Sequence, residues 1–224
     1  MRKYHYWNKY YKKIAFVKTA PSNFSKFCYN KFIKKSKKKN ILDIGCGNGR
    51  DAIFFFKKGL NVTAIDKSST AIKIIKERFP HNKNFLCYKK NIAKYDFKKI
   101  GKFDFIYLRF LLHAINLNTQ KNLFKFIHNI RKKDTLIMFE FRTDKDSLKN
   151  KGKKLSKNET FTDHYRRFIN VEDALKYFKG LTYKIIYILE KKGLSKHKYD
   201  NPVLCRLILK KSLKKIPKIL KNNL

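Results

Sequence analysis

The chain has 224 residues, a length typical of one globular domain with a short extension. It carries 56 Lys and Arg against 16 Asp and Glu, so its formal net charge is +40. High net charge is one signature of disorder, but 20 Phe, 13 Tyr and a hydrophobic fraction of 43% indicate a folded domain. No apolar run approaches the ~18 residues of a membrane span, and the N-terminus lacks an apolar signal-peptide core. We therefore expect a cytoplasmic protein without a membrane span.

The charge has two interpretations. A polyanionic partner such as nucleic acid would explain it. A compositional bias would also explain it, because Lys, Asn, Ile, Phe and Tyr, all encoded by AT-rich codons, are abundant together. Only nine of the 56 basic residues are arginines, whereas a nucleic-acid surface is expected to use more of them. We favour the bias and predict that nucleic acid is not the main partner.

The cysteine pattern argues against two further classes of protein. The four cysteines are far apart in the sequence and form no CxxC pair, which predicts neither a metal site nor a disulfide framework. They are Cys28, Cys46, Cys87 and Cys205.

Taken in chain order, apolar segments alternate with segments of helical periodicity. Strands are predicted over residues 40–44, 61–65, 84–88, 103–108 and 135–141, and helices over 22–35, 50–58, 69–78, 119–130 and 170–179. Two last strands, over 182–189 and 203–210, have no helix between them and predict an antiparallel pair. The pattern predicts an α/β fold with a Rossmann-like, seven-stranded, mostly parallel sheet, helices on both faces and this C-terminal antiparallel pair.

Composition divides the chain into three parts. Residues 1–39 form an aromatic and helical segment that we expect to act as a lid, residues 40–210 form the α/β domain, and residues 211–224 form a basic tail. Within the domain, residues 142–169 are polar and without clear periodicity. Such a segment predicts a long loop that is either functional or disordered.

The sharpest motif is ILDIGCGNGRD at residues 41–51. Its glycines lie between a predicted strand and a helix, where the backbone can turn tightly and present N–H groups to a ligand. The dinucleotide fingerprint GxGxxG fails, because its third glycine is replaced by Arg50. Asp66 ends the next strand, 23 residues after Asp43, where a carboxylate can bind both hydroxyls of a ribose.

The acid-x-GxGxG spacing resembles the first motif of class I S-adenosylmethionine-dependent methyltransferases. The resemblance implies S-adenosylmethionine as cofactor, S-adenosylhomocysteine as product and the seven-stranded fold predicted above. It implies that Asp43 orders the turn and reaches the methionine amino group, usually through water. Asn91 stands where the family has an acid that binds the adenine amino group, and Ile92 would pack on the adenine. The implied cofactor residues are Asp43, Gly45, Gly47, Gly49, Arg50, Asp66, Asn91 and Ile92.

A more particular resemblance is to small bacterial methyltransferases encoded with capsule, lipopolysaccharide or other surface-glycan genes. The shared motifs span residues 6–209 in order: the YW…YY start, PSNFS, LDIGCGNGRD, RFLLHAI, EFRT and DHYRRF. This resemblance implies a glycan- or phosphate-linked small molecule as methyl acceptor, in surface-polysaccharide or related biosynthesis.

The scarce arginines suggest where an acceptor binds. Four of them follow the fourth and fifth strands or lie in DHYRRF, and their planar forks suit phosphate or carboxylate. Salt bridges to Glu140, Asp144 or Asp163 are the alternative explanation. We predict a small anionic acceptor bound by Arg109, Arg142, Tyr165, Arg166 and Arg167.

Methyl transfer sometimes needs a base to remove the acceptor's proton. His113, after the fourth strand, is the first candidate, with a packed histidine as the alternative. Asp163 and His164 are a second acid–base pair, unless they form only a local loop hydrogen bond. The aromatic residues Trp7, Tyr10 and Tyr11 either fold over the cofactor or make a plain hydrophobic contact.

Two rival functions differ in what they require. An RNA methyltransferase of the same fold would explain the charge, but the sequence shows neither an appended RNA-binding module nor an N/D-PP-Y-type motif after the fourth strand. A non-catalytic binding protein that retains the fold would not need an intact glycine turn and Asp66.

Overall fold

The computed structural model describes residues 3–14, 20–79, 82–94, 100–196 and 199–212. These residues form ten strands: β1 (Asn40–Ile44), β2 (Asn61–Asp66), β3 (Phe85–Lys89), β4 (Phe103–Arg109), β5 (Arg131–Arg142), β6 (Lys153–Ser156), β7 (Glu159–Phe161), β8 (Tyr165–Arg167), β9 (Tyr183–Lys191) and β10 (Leu204–Lys211).

Seven of the strands form one sheet in the order β3-β2-β1-β4-β5-β10-β9. The first five in this order are parallel to one another, and β10 is antiparallel to both of its neighbours. The predicted Rossmann-like, mostly parallel sheet with a C-terminal antiparallel pair is therefore confirmed. The order reverses between β1 and β4, so the carboxyl ends of these two strands border the crevice in which such sheets bind ligands.

The helices that surround the sheet begin close to the predicted positions. Ser22, Ser68, Asn116 and Asn170 each cap a helix with a side-chain oxygen that accepts a backbone N–H bond. The first capped helix continues beyond its α-helical part as a π-helical turn, Tyr29–Ile33. The helices are α1 (Lys3–Lys13), α2 (Asn23–Cys28), α3 (Arg50–Lys57), α4 (Ser69–Arg78), α5 (Leu117–Ile130) and α6 (Val171–Gly180).

Both faces of the sheet are covered by apolar side chains. One cluster joins α2, α3 and α4 to the sheet and includes Phe24, Phe55 and Ile75. A second cluster joins α5 and α6 to the other face and includes Phe126 and Phe178. Because both faces are buried, β1, β2 and β4 are nearly continuous apolar runs, as parallel strands require.

The polar stretch over residues 142–169, predicted as an unstructured loop, contains a small antiparallel sheet in the order β6-β7-β8. Its strands have only three or four residues, and β6 is exposed throughout, so no apolar alternation marks them in the sequence. In the structure the predicted lid segment consists of two separate helices. Helix α2 packs into the core, whereas α1 contacts α4. The predicted basic tail falls almost entirely on residues 213–224, outside the described residues.

Within the described ranges, no helix combines the length and apolar character needed to cross a membrane. The same part of the chain contains no group of three or more His, Cys, Asp or Glu side chains arranged to hold a metal ion. All four cysteines are free thiols.

Candidate active site

The glycine turn follows β1 and leads into α3. Gly45, Gly47 and Gly49 have φ values of 76°, 56° and 78°, a region that L side chains rarely adopt. A Cβ on Gly49 would lie 2.7 Å from the Ile75 side chain, so this glycine also permits close packing of α4 on the turn. The sequence thus places glycines where the backbone requires them.

Helix α1 lies across this turn. The Tyr11 hydroxyl would be only 2.5 Å from a Cβ on Gly47, so the absence of a side chain there makes room for Tyr11. The same helix contacts α4, where the Ser68 hydroxyl donates a 2.6 Å hydrogen bond to Asn8 Oδ1. Burial, followed by the nearby Asp66 carboxylate, raises the pKa of Tyr11 well above its ordinary value. Tyr11 is therefore a neutral hydroxyl over the glycine turn.

Two carboxylates flank the turn at the ends of β1 and β2. Asp43 is buried, and burial followed by the charges of Asp51 and Asp66 raises its pKa well above the ordinary range. Asp66 accepts hydrogen bonds from the backbone N–H groups of Gly47 and Ser68, at 3.0 and 2.8 Å. Burial raises its pKa as well, while these two bonds oppose the rise. The turn is consequently an acidic pocket in a strongly basic chain.

The other residues predicted to bind the cofactor each contact other parts of the protein. Arg50 begins α3, and its Nε is 3.8 Å from Asp51 Oδ1. Asn91 follows β3, where its side-chain oxygen accepts a 3.1 Å bond from the Ala93 N–H. Ile92 packs in the core cluster of α5 and α6. The Asn91 amide oxygen is thus engaged locally.

Asp51 makes a buried network that the sequence prediction missed. Its two oxygens accept four hydrogen bonds: from the Ser22 N–H (2.7 Å), the Ser22 hydroxyl (2.8 Å), the Ser25 hydroxyl (2.9 Å) and the Tyr107 hydroxyl (2.9 Å). This carboxylate ties the PSNFS segment and β4 to the helix that follows the glycine turn. The sequence contained a signal for this network, because Asp51 ends the GNGRD motif and the PSNFS segment supplies two serine hydroxyls.

The exit of β4 is strained. Phe110 has a φ of 58°, unusual for a bulky residue and frequent at functional sites. The next residue, Leu111, has side-chain carbons that would lie 3.1 Å or more from a Cβ on Gly45. The strained exit thus packs directly against the glycine turn and directs the following segment along the candidate site.

His113 is buried beyond this exit, in the short helical turn Leu112–Ala114. The backbone N–H of Arg142 donates a 3.1 Å hydrogen bond to its Nδ1, which places the proton of the neutral ring on Nε2. Burial, then Arg142 and Arg166, lower its pKa well below 6.5. A ring in this tautomer donates from Nε2, so the geometry favours a donor role over the general-base role predicted from the sequence.

Three of the four predicted acceptor arginines are paired with carboxylates. Arg109 binds Glu140 at 2.9 Å, Arg142 binds Asp146 at 2.9 Å and also Asp200, and Arg166 binds Asp163 at 2.8 Å. The predicted salt-bridge partners Glu140 and Asp163 are present, whereas Arg142 pairs with Asp146 and Asp200 instead of the predicted Asp144. A free four-arginine clamp is not what the structure contains.

Arg167 differs from the other three. It is buried, and it donates to the carbonyls of Leu112 and Ile115 and to Gln120. Among the residues that the structure describes, no carboxylate lies within 4.0 Å of its guanidinium. The hydroxyl of Tyr165, two residues earlier in β8, donates a hydrogen bond to Glu159 of β7.

Asp163 and His164 lie together, as the sequence predicts. His164 Nδ1 is 3.1 Å from Asp163 Oδ1, and burial followed by Arg166 lowers the pKa of His164 to about 4. The pair lies against α1: the rings of Tyr6 and Trp7 have centroids 4.6 and 5.0 Å from that of His164. His164 is therefore neutral near pH 7 and largely shielded from water by aromatic rings.

Comparison with known proteins decides the family. A family model described as a methyltransferase domain matches residues 17–184, about three quarters of the chain. The chain belongs to this methyltransferase family. No curated protein matches the sequence.

Solved structures agree on the fold of this methyltransferase. A SAM-dependent methyltransferase from Methanosarcina mazei is 18% identical, with a TM-score of 0.65, over 80% of this chain and 95% of that one. The glycopeptide N-methyltransferase MtfA, solved with S-adenosylmethionine, is 8% identical with a TM-score of 0.63, over 88% and 98%. The 1,6-didemethyltoxoflavin-N1-methyltransferase of Burkholderia thailandensis is 12% identical with a TM-score of 0.65, over 93% and 88%. These likenesses show the fold, which is that of the class I SAM-dependent methyltransferases.

The residues around the glycine turn of the methyltransferase fit this cofactor. S-adenosylmethionine carries a sulfonium and an ammonium group, and the turn offers the carboxylates of Asp43 and Asp66 in buried positions. Proximity of a cation would favour the charged form of both acids, which their burial now disfavours. Gly47 permits the left-handed turn of the backbone, with Tyr11 packed beside it.

Proposed function

We propose that this methyltransferase transfers the methyl group of S-adenosylmethionine to a small acceptor that carries a phosphate or carboxylate. The observation that supports the cofactor half is the acidic glycine turn at the reversal of strand order. The acceptor half rests on Arg167, a buried guanidinium with no carboxylate partner among the described residues. Within the described residues its charge is met by three neutral oxygens and, at longer range, by Glu159 on the facing strand, and a bound anion would compensate it more fully.

In this proposal the turn holds the cofactor. Asp43 and Gly45 lie toward its methionine part, Asp66 accepts from the ribose hydroxyls, and Asn91 and Ile92 border the adenine. Gly47 and Gly49 allow the left-handed backbone of the turn, and Arg50 supports the turn through Asp51. When bound, S-adenosylmethionine supplies a methyl group activated by a positively charged sulfur.

The acceptor side is formed by the exit of β4 and the segment around β8. His113 Nε2 donates a hydrogen bond that orients the acceptor, and Arg167 attracts its anionic group, while Arg166 stays paired with Asp163. Arg109, Arg142 and Tyr165 hold this edge in shape through Glu140, Asp146 and Glu159. In-line methyl transfer needs such fixed positioning and exclusion of water more than it needs further chemistry.

His164 is the histidine that suits removal of a proton. Asp163 Oδ1 lies 3.1 Å from its Nδ1 without a hydrogen bond between them, and the nearby negative charge favours the proton on Nδ1, which would leave Nε2 able to accept. When the acceptor is a hydroxyl or an amine, its proton would pass to Nε2 as the acceptor atom bonds to the methyl carbon, the carbon–sulfur bond breaks, and its electron pair returns to sulfur to give S-adenosylhomocysteine. An acceptor that is already deprotonated would not need this step.

The motif resemblance to surface-glycan methyltransferases supports an acceptor drawn from polysaccharide or related metabolite biosynthesis. The acceptors named for the similar structures are a glycopeptide and a toxoflavin precursor, which shows how widely acceptors vary on this fold. The proposal therefore specifies the charge of the acceptor and its small size, and the test below identifies its class.

The test is a methyl-transfer assay with radiolabelled S-adenosylmethionine and four acceptor classes: sugar phosphates, carboxylated sugars, the neutral parent sugars and RNA. We expect label transfer to a phosphorylated or carboxylated sugar and none to its neutral parent. Transfer to neutral sugars or RNA in preference would contradict the proposal.

A pair of arginine variants sharpens this assay. Arg167→Ala should raise the KM for the anionic acceptor roughly tenfold or more with little change in the KM for the cofactor, because a charge-assisted contact is lost. Arg131→Ala, at the opposite end of β5, is the matched control and should leave both KM values near wild type. Equal effects of the two substitutions would remove Arg167 from the acceptor site.

A further inference from the structure

Asp163 joins two segments that are far apart in the sequence. Its Oδ2 accepts a 2.5 Å hydrogen bond from the hydroxyl of Tyr6, 157 residues away. Its Oδ1 accepts from the Thr162 hydroxyl at 2.7 Å and from Arg166 Nη1 at 2.8 Å, and it lies 3.1 Å from His164 Nδ1. One carboxylate thus contacts α1 on one side and the acceptor-side residues on the other.

The same helix reaches the cofactor turn with its other end. Tyr11, five residues after Tyr6, places its hydroxyl over Gly47, and Asn8 accepts from the N-cap of α4. An α-helix rises about 1.5 Å per residue, so α1 is a short rigid element between the two sites. Any displacement of α1 from the turn therefore also separates Tyr6 from Asp163.

We propose that Tyr6 is a positioning residue: its hydroxyl fixes the Asp163 carboxylate, and through it His164 and Arg166, only while α1 covers the glycine turn. The proposal rests on the proposed function for the roles of these side chains. It adds that the acceptor side is assembled by the same helix that encloses the cofactor, so the cofactor must enter before the acceptor side is complete.

The surroundings of His164 explain why Tyr6 matters. On its own segment, His164 lies beside Asp163, and the positive charges of Arg166 and of Arg142 on β5 act on it. From α1 it is covered by the rings of Tyr6 and Trp7. The Asp163 side chain is 52% exposed, so its position depends on these hydrogen bonds rather than on packing.

The first test follows the titration of His164 by proton NMR in the full chain, with the resonance assigned by its loss in His164→Gln. In the wild type, His164 should titrate near pH 4. In Tyr6→Phe the ring is kept and only the hydroxyl is removed, and the His164 pKa should rise toward the ordinary value of 6.5, because water reaches the ring when α1 is no longer held in place. A purely structural role of the Tyr6 ring would not change this titration.

The matched control is Tyr10→Phe. Tyr10 lies on the same helix and its ring stacks near that of Tyr6 with centroids 6.3 Å apart, but it is 41% exposed. This substitution removes a hydroxyl of the same kind and should leave the His164 titration at its wild-type position. Thermal unfolding of both variants checks that each is folded.

The second test measures binding of S-adenosylhomocysteine through the fluorescence of Trp7, the single tryptophan of the chain. Tyr6→Phe should weaken binding roughly tenfold, because a hydrogen bond to a charged group that holds α1 in place is lost. Tyr10→Phe should bind within about twofold of wild type.

The outcomes separate the two proposals. A Tyr6→Phe protein with wild-type His164 titration and wild-type affinity overturns the positioning role and leaves the proposed function standing. A wild-type protein that does not bind S-adenosylhomocysteine overturns the proposed function, whereas an altered His164 titration in Tyr6→Phe would still support the contact through Asp163.

Discussion

At the scale of single residues, buried polar side chains determine how the site is held. Asp51 does not point at a ligand; it accepts four hydrogen bonds from two serines and a tyrosine. Its burial next to the glycine turn means that the turn, α2 and β4 share one carboxylate. Positioning of the cofactor residues thus depends on a side chain without a direct chemical role.

Removal of this carboxylate should destabilise the protein strongly. In Asp51→Ala three buried hydroxyls and one N–H lose their acceptor, and unsatisfied buried donors cost about 1–3 kcal/mol each before relaxation. We expect the free energy of unfolding to fall by roughly 3–5 kcal/mol in urea titrations. Asp173→Ala, an exposed acid in the first turn of α6, is the control and should cost about 1 kcal/mol or less. Similar losses in the two variants would contradict the network's importance.

His113 makes stability depend on pH. Its pKa in the folded chain lies well below the ordinary 6.5, so between those two values the unfolded chain binds more protons than the folded one. Stability should therefore fall as pH decreases below 6.5, by up to about 1.4 kcal/mol per pH unit from this residue.

The comparison that isolates this effect is wild type against His113→Gln, measured from pH 7 to 5 (about the range over which His113 should contribute). Glutamine has an oxygen that can accept the Arg142 N–H bond, but it does not titrate. The variant should lose stability less steeply as pH falls, while His164, also depressed in pKa, contributes equally to both proteins. Parallel pH profiles would show that His113 is not buried as a neutral ring.

At the scale of elements, β5 joins the parallel and antiparallel parts of the sheet. Glu140 of β5 lies in register with Arg109 of β4 and Arg206 of β10, and its two oxygens bind these arginines at 2.9 and 2.8 Å. The Arg206 guanidinium also lies over the rings of Phe24 and Phe27, both of which belong to α2. One buried carboxylate thus links three strands and a helix at the candidate active-site edge.

Glu140→Ala should be among the most destabilising single changes in this chain. It leaves two arginines without their shared counter-charge, one of them buried, and breaking a buried pair in this way costs about 3–5 kcal/mol. Chemical denaturation would measure the loss, with the exposed Glu172→Ala of α6 as control. A loss below about 1 kcal/mol would mean that water replaces the carboxylate at little cost.

Sequence patterns predicted the elements unequally, for physical reasons. The central strands of the main sheet are buried on both faces and four of the described α-helices have side-chain caps, so apolar runs and capping residues marked them. Strands β6, β7 and β8 are short and largely polar, and their pairing depends on tertiary contacts such as Thr160 opposite Arg166, which no local pattern reveals. The bond from the Arg142 backbone to His113 is likewise a tertiary contact, and it changes the role of that histidine.

Some residues of the site were visible in the sequence and others were not. The glycines and Asp66 follow from local backbone requirements. An acid within the apolar run LIMFEF signals a buried partner, and the arginines of YLRF and VLCRLIL are the matching signals. The contact of Tyr6 with Asp163 joins residues 157 positions apart and required the fold.

At the scale of the whole molecule, the net charge of +40 and the acidic turn have opposite signs. Most of the charge is lysine outside the motifs, and the arginines of the acceptor edge are largely neutralised by carboxylates within the chain. The general charge should therefore attract polyanions weakly and without selectivity, independently of the methyltransferase site.

The weak and unselective attraction of polyanions by the lysines should appear as a steep salt dependence of RNA binding. We expect the affinity for an arbitrary RNA to fall by ~10³-fold or more between about 50 and 200 mM salt, because lysine contacts to phosphate release counterions. Over the same range the affinity for S-adenosylhomocysteine should change by less than about twofold, since its contacts are mostly buried. RNA binding that persists at 200 mM salt with a preference for one sequence would instead favour the RNA methyltransferase alternative.

The most direct test of the central claim is calorimetric titration of S-adenosylhomocysteine into wild type and Asp66→Ala. The control is Asp134→Ala, which removes an exposed acid from the opposite end of β5. We predict one binding event in wild type and in the control, and at least about tenfold weaker binding in Asp66→Ala, because a charge-assisted contact to the ribose is lost. Absence of binding in the wild type, or equal affinity of wild type and Asp66→Ala, would contradict a cofactor site at the glycine turn.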